Sequence, residues 1–505
     1  MAGKYKKLLT KSNYLLVLQC TKLFHVQLYD KKRIPEPDDS ALHRFKTGDE
    51  IEALAKTLFE NGIDLRLEDF EENLRASLEA IEKEPRVPLF EPAFLFDQLY
   101  SRADVLVPVD EDEWDIVEMK SATKVKEINI HDVSFQKHVY EKCGLKIRKC
   151  FLMHINRDYV KNGEIEPEKL FTKTDITVEV TKAEKGIEER IEKFLKIANN
   201  ETEPAYTIGN HCSSPYNCPL RKECWADLPG GNILEFYRKE EIQAFDIKNE
   251  GRIKIDKVPD FYSDNSSQLH KYTIALNKGN NFDEKILKEF MNKITYPIYF
   301  LDIQTINPAV PKYDGMRPYQ RIPFQFSLHI KENKHANSKH FSFLADGKTD
   351  PRYILLKFLK DNIKNTGTIL VYEKNKELSI LKDLSWSQRY FSEWINNLTP
   401  RIKDLWEIFE NFHFFDVEGK INSKIKYVIP RFSTLEHEDL TIKNGTSRGL
   451  EFERLIFNNN RDVVEKAGVR EELRNKARED TQSMIYIFEA LERVLETYNK
   501  EYKNL

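Results

Sequence analysis

The chain has 505 residues, 40% of them apolar and 11% aromatic, which is enough for two to four domains with real cores. Its 79 Lys and Arg against 83 Asp and Glu give a formal net charge of −4. That balance excludes a uniformly basic nucleic-acid coat but leaves room for a local basic groove. No apolar run reaches the roughly 18 residues that a membrane-spanning helix needs, so no membrane association is expected. The basic N-terminus leads only into the short apolar run "YLLVL" with no small-residue cleavage site, so no signal peptide is expected and a cytoplasmic location is. Six cysteines in a reducing compartment are not expected to form structural disulfides.

In chain order, residues 40–85 carry helical spacing in "EIEALAKTLFENG" and "EENLRASLEAIEKE". Strand-like runs follow over 86–120, as "RVPLFEPAFLF", "RADVLVPV" and "DIVEMK". A helix is predicted over 131–143, a strand at "KCFLMHI", a helix over 182–198, and then a cysteine-bearing loop over 211–225. The stretch with "LPGGN" and "SDNSSQ" has turn composition. From about 294 a second α/β pattern begins, with several strands, a helix, the strand "TILVY", and mostly helix to the end. The expected fold class is α/β in two modules, 1–230 and 290–505, with a linker or peripheral region over 231–289.

Asp104 is expected in a strand, and Glu118 and Lys120 stand two apart in the next, so they share one face. Two carboxylates can hold a divalent cation, and the lysine can orient or help deprotonate an attacking water, a set that fits phosphodiester hydrolysis. Surface decoration is the competing account of E-x-K on a hairpin strand. Gln136 and Tyr140 lie four apart on the following helix and share a face, where they could fix a substrate group or simply pack. The basic stretches "KSATKVK" and "KCGLKIRK" could track a phosphate backbone, and Phe135, Tyr140 and Trp225 could stack on bases, with solvated surface and core packing as the alternatives.

D…E-x-K followed by Q-x-x-x-Y resembles the RecB-type branch of the PD-(D/E)XK nucleases, which have a restriction-endonuclease-like fold. The resemblance implies that Asp104 and Glu118 are ligands of Mg²⁺ or Mn²⁺, that Lys120 is the catalytic lysine, and that Gln136 and Tyr140 form the companion motif. Members often carry a histidine four after a glycine in an early helix. Here Glu52 stands four after Gly48 and would be a further metal ligand.

Cys212, Cys218 and Cys224 form a C-x5-C-x5-C set, with Cys20 as a candidate fourth thiol, while Cys143 and Cys150 have the contexts of core residues. Four thiolates fit zinc or an iron–sulfur cluster, and the spacing is compatible with both. One cysteine before the nuclease core and three after it resembles the iron–sulfur RecB-like exonucleases, including CRISPR-associated ones. That resemblance implies a structural [4Fe–4S] cluster on Cys20, Cys212, Cys218 and Cys224, although the family's C-x2-C step is missing here.

In the second module "IYFLDIQTI", "GTILVYEKNKELSIL" and "REDTQSMIYIF" resemble the DnaQ-like exonucleases of the RNase H-like fold, in which four acids hold two metal ions. The resemblance places Asp302, Gln304, Glu377 and Asp480 at the acid positions, adds Asp404 in a shared segment, and extends to "GKINSKIKYVIP". Gln304 keeps the shape of a glutamate without its charge, and Lys476 stands where a Tyr or His would orient water, so this second site is expected to be impaired. A hydrogen-bonded strand end without chemistry is the plainer account of Asp302 and Gln304. The combined expectation is a metal-dependent DNA nuclease acting on single-stranded or free ends, in end-processing, mobile-DNA defence or fragment trimming. The rival readings are a catalytically inactive nucleic-acid-binding scaffold and a zinc-stapled RNA-processing nuclease.

Overall fold

The computed structural model describes residues 7–110, 112–226, 228, 281–410, 413–415, 445–457 and 463–502. The chain is mixed α/β and divides into two compact units, Met1–Leu228 with Ala309–Pro318, and Pro229–Pro308 with Tyr319–Leu505. The first boundary falls close to the expected residue 230, but a ten-residue stretch after the first strand of the second module groups with the first unit. The expected linker lies largely outside the described residues, as does "GKINSKIKYVIP". Among the described residues no helix is long and apolar enough to cross a membrane.

The first unit opens with β1 (Leu9–Thr10), α1 (Lys11–Gln19), α2 (Thr21–Tyr29), α3 (Asp39–Lys56), β2 (Ile63–Asp64) and α4 (Phe70–Ile81). It continues with β3 (Leu89–Phe90), β4 (Ala93–Phe96), β5 (Leu99–Arg102), β6 (Val105–Pro108) and β7 (Glu113–Lys120). Then come α5 (Glu127–Lys142), β8 (Lys146–Ile155), α6 (Pro167–Leu170), β9 (Phe171–Asp175), α7 (Thr177–Glu184), α8 (Ile187–Ala198) and α9 (Arg221–Cys224). The expected helix over 182–198 is two helices, because Gly186 at φ +71° breaks the run in a left-handed turn.

A sheet in the order β2-β3-β6-β7-β8-β9 carries the core, with β7 antiparallel to β6 and parallel to β8. A smaller sheet, β1-β5-β4, stands beside the first turn of α1. Ile116 on β7 packs with Val133, Phe135 and Val139 of α5, and Phe135 stacks on Tyr14 of α1 at 4.7 Å between ring centroids. Phe135 is therefore a core residue and not a base-stacking platform. α5 stops at Gly144, whose φ of +92° suits a helix C-terminus.

Asp104 lies just ahead of β6, not within a strand. Its placement depends on Tyr140. That side chain is fully buried, and its hydroxyl donates to the Pro92 carbonyl at 2.7 Å and accepts from the Ala103 N–H at 2.8 Å. Tyr140 thus ties α5 to the backbone on either side of the β4–β5 hairpin.

The described part of the second unit begins with β10 (Asn281–Phe282), α10 (Glu284–Asn292), β11 (Ile298–Ile306), β12 (Ile322–Lys331) and β13 (Lys339–Leu344). Next come α11 (Pro351–Asn362), β14 (Thr368–Val371), α12 (Lys374–Ser387), α13 (Ser392–Leu398), β15 (Ile402–Asp404) and α14 (Glu407–Glu410). β16 (Phe414–Phe415), α15 (Gly445–Phe457) and α16 (Val463–Tyr502) complete it. Its main sheet has the order β13-β12-β11-β14-β15, an antiparallel meander joined to two strands parallel to β11. Period-two alternation splits β11 between two cores. Tyr299, Leu301 and Ile303 face α11–α13, and Ile298 and Phe300 face α10 and α16.

Tyr140→Phe removes one hydroxyl and leaves the Pro92 carbonyl and the Ala103 N–H unpaired in the interior. The expected cost is about 1–3 kcal/mol in the unfolding of the first unit, measured by urea titration followed by tyrosine and tryptophan fluorescence.

Candidate functional site

β7 presents Glu118 and Lys120 on the face that α5 covers, and the stripe Asp132–Gln136 on α5 meets them. Glu118 is 0% exposed. One of its oxygens accepts from Lys11 Nζ at 3.0 Å and from Lys120 Nζ, and the other accepts from Gln136 Nε2 at 2.8 Å. Lys120 Nζ also lies 3.0 Å from Asp132 Oδ2, and Gln136 Nε2 donates to Asp132 Oδ1 at 2.9 Å. Asp104 points back at the same strand, accepting from the Met119 N–H at 2.6 Å, and sits 3.7 Å from Lys11 Nζ. Lys11 reaches the cluster because Thr10 caps α1 by accepting from the Asn13 N–H, so the lysine occupies the first turn where β1 ends.

The electrostatics follow from three carboxylates and two ammoniums in a small volume. Burial and repulsion from Glu118 push the Asp104 carboxyl up to about 7, against the pull of Lys11 and Lys120. Burial opposes ionisation of Glu118 too, but Lys11, Lys120 and the Gln136 amide hold it well below the usual carboxylate range. Lys120 stays protonated. Burial works against its charge, and attraction from Asp132, Glu118 and Asp104 overrides it. The same balance, with Asp132 the strongest attraction, holds Lys11 charged.

Of the residues expected here, Asp104, Glu118, Lys120 and Gln136 come together. Tyr140 supports them through the backbone. Glu52 instead ion-pairs with Lys56 at 3.0 Å and with Arg66, which bridges to Glu91 at 2.9 Å. Lys11 and Asp132 were not anticipated. Asp132 was readable in principle, one helical turn before Gln136, whereas nothing local marks Lys11.

The joint between α1 and α2 is tied to the cysteine loop. Gln19 Nε2 donates to the His211 and Tyr216 carbonyls, both at 2.7 Å, and Arg33 pairs with Glu203 and Glu223. Cys20 sits in that joint, ending α1 and preceding α2. Burial pushes the Cys218 thiol up to about 11, and Cys20, Cys212 and Cys224 all act on it electrostatically, so the four thiols are neighbours. None of the four is in a disulfide. Lys22 ion-pairs with Glu223 at 2.9 Å, lies 3.7 Å over the Tyr206 ring, and its charge favours the Cys224 thiolate against burial. Trp225 is half-buried under the Arg221 guanidinium at 4.1 Å. Among the described residues no three His, Cys, Asp or Glu side chains are already set as a metal-ligand group, so thiols and carboxylates alike would have to close in on an ion.

In the second unit Asp302 and Gln304 share a face of β11, and the Gln304 amide donates to Asp302 Oδ2. Asp404, at the end of β15, accepts from the Glu373 and Lys374 N–H groups at 3.1 and 2.8 Å, which fixes the start of α12. That start places Lys376 Nζ 3.1 Å from Asp302 Oδ1, and Glu377 under the Ile303 N–H at 3.4 Å. Asp480 of α16 ion-pairs with Arg448 of α15. Burial pushes Glu377 up to about 7 and Asp480 to about 6, while Lys376, Arg448 and Gln304 hold Asp302 below its usual value in spite of burial. Lys476 pairs with Glu472 and, at 3.6 Å, with Glu451.

Residues 299–423 match a domain of unknown function, DUF2779. The chain is also 24% identical over 399 residues to "Uncharacterized protein UU173" of Ureaplasma parvum serovar 3, an alignment that takes in 74% of this chain. It covers 54% of that protein, so the chain spans about half the length of the curated relative it matches.

Proposed function

We propose that the chain is a metal-dependent nuclease that hydrolyses phosphodiester bonds in DNA from single-stranded or free ends, with its chemistry in the first unit. The observation that carries this reading is the convergence of Asp104 and Glu118 on one ammonium, with Lys120 and Gln136 docked on Glu118. Lys11 Nζ stands in for a cation between the two carboxylates. The lysine side chain is 20% exposed, so it can withdraw, while Asp132 already neutralises Lys120. The donor set therefore fits one Mg²⁺ or Mn²⁺ held by Asp104 and Glu118. Such an ion would polarise the phosphodiester and lower the pKa of a bound water.

The remaining work falls to this chain's own residues. Gln136 fixes the rotamer of Glu118 by donating to the oxygen that does not face Lys120. Lys120, held protonated by its neighbours, is suited to stabilise negative charge growing on the phosphate and is a poor proton acceptor. A displaced Lys11 would be a second positive charge at the phosphate.

The four thiols supply the donors for the [4Fe–4S] cluster proposed for Cys20, Cys212, Cys218 and Cys224, whose role would be to fasten the two ends of the first unit. In the second unit the meander with two parallel strands, and the gathering of Asp302, Gln304, Glu377 and Asp480 at the end of β11, support an RNase H-like exonuclease fold with an impaired site. Its contribution would be to bind nucleic acid.

Lys120→Ala should lower cleavage of end-labelled single-stranded DNA in Mn²⁺ by about 100-fold or more, with circular dichroism unchanged. Cleavage that persists in this variant would take the chemistry away from the first unit, and no cleavage by either protein would remove the nuclease reading and leave a binding scaffold. Asp104 must lose its proton to hold a cation, so Mn²⁺ affinity should rise as pH increases through about 7, with proton release on binding, and Asp104→Asn should flatten that dependence. Calorimetry in buffers of different ionisation enthalpy measures both. Anaerobically purified protein should be brown, with visible absorbance lost in Cys224→Ser. A colourless protein containing one zinc per chain would replace the cluster by zinc.

A further inference from the structure

The acid cluster of the second unit carries its own cations. Lys376 Nζ lies 3.1 Å from Asp302 Oδ1 and 3.5 Å from Glu377 Oε1, and Arg448 pairs with Asp480 while its charge also acts on Asp302. The Gln304 amide donates to the second Asp302 oxygen and supplies no charge of its own. Both oxygens of Asp302, and one each of Glu377 and Asp480, are thus engaged by donors from within the chain. Glu377 Oε2 and Asp480 Oδ1 are buried without a hydrogen-bond partner, but two divalent ions about 3.5–4 Å apart would still have to displace Lys376 and the Gln304 amide from Asp302.

The cations differ in freedom. The Lys376 side chain is 33% exposed and holds Asp302 and Glu377 at once. The Arg448 side chain is 2% exposed, so moving it would leave a guanidinium and a carboxylate unpaired in the interior, the costly outcome for a buried pair. Hard cations depend on the number of anionic ligands, and this cluster has three carboxylates already matched against two positive side chains. The residues do not fit a two-metal centre.

We propose that Lys376 and Arg448 are resident cations of the second unit, standing where divalent ions would stand. Its acid cluster is then a fixed ionic junction between β11, α12, α15 and α16, and a carboxylate at position 304 alone does not load it with metal. This deepens the reading of the second unit as an impaired exonuclease fold and rests on it.

The test is the number of Mn²⁺ ions bound per full-length chain at low-micromolar free Mn²⁺, counted by electron paramagnetic resonance. Ions held by the first unit cancel when matched variants are compared. Asp302→Asn and Gln304→Glu should each bind as many ions as the unaltered chain. Gln304→Glu combined with Lys376→Met should bind one more, and Mn²⁺ should raise its melting temperature further than that of the unaltered chain. Lys376 is partly exposed, so the double variant is expected to fold, and circular dichroism verifies it.

An extra ion in Gln304→Glu alone, or an ion lost in Asp302→Asn, would overturn the proposal. No gain in the folded double variant would overturn it as well. Cleavage dependent on Lys120 is read in a separate assay, so this inference can fail without touching the nuclease reading, and the reverse also holds.

Discussion

The architecture of the first unit depends on one buried anion. Glu118 is sealed from solvent in the middle of the sheet, and an ionised carboxylate there is costly by several kcal/mol unless its oxygens are paired. The pairing comes from three places at once: the first turn of α1, the same strand two residues on, and the middle of α5. Each donor therefore constrains an element. Lys11 fixes the register at which α1 leaves β1, Gln136 fixes the rotation of α5, and Tyr140 one turn later fixes the backbone that delivers Asp104. The constellation proposed for catalysis and a folding constraint are here the same set of contacts.

The legible parts of the site were those written in short-range periodicity. Glu118 and Lys120 share a face because strands alternate, and Gln136 shares a stripe with Tyr140 because helices repeat every three to four residues. Asp132 belongs to the same stripe, one turn before Gln136. Lys11 lies 107 residues from Glu118 in sequence, and no periodicity connects them. Glu52 had the right spacing from Gly48, and its partners in the structure are Lys56 on the same helix and Arg66 just past β2. The fold class and most strands followed from alternation. The split at Gly186 and the position of Asp104 just ahead of β6 depended on single backbone torsions and on one tyrosine hydroxyl.

The cysteine loop shows how two segments of the first unit far apart in sequence are joined. The bonds from Gln19, Arg33 and Lys22 to the 203–224 stretch bring the α1–α2 joint and the cysteine loop together before any ion is considered. A four-thiolate ligand would add to an association the protein already makes. Thiolates are disfavoured by burial at Cys218, so any ion or cluster held by these thiols would release protons on binding.

The two acid clusters contain the same ratio of charges, three carboxylates to two cationic side chains, and so charge counting alone would assign them the same behaviour. Mobility separates them. In the first unit the cation between the two proposed ligands is a lysine at a helix start, 20% exposed, and the second lysine is paired with Asp132. In the second unit one cation is an arginine with no route to solvent, bound to the acid that would have to ligate metal. A partly exposed lysine that yields its place to a divalent ion gives up its ion pairs but regains hydration at the ammonium, whereas an enclosed guanidinium can yield only if the surrounding helices move. Under the proposed function, the enclosed Arg448 on Asp480, more than the number of acids, distinguishes the second cluster from the first.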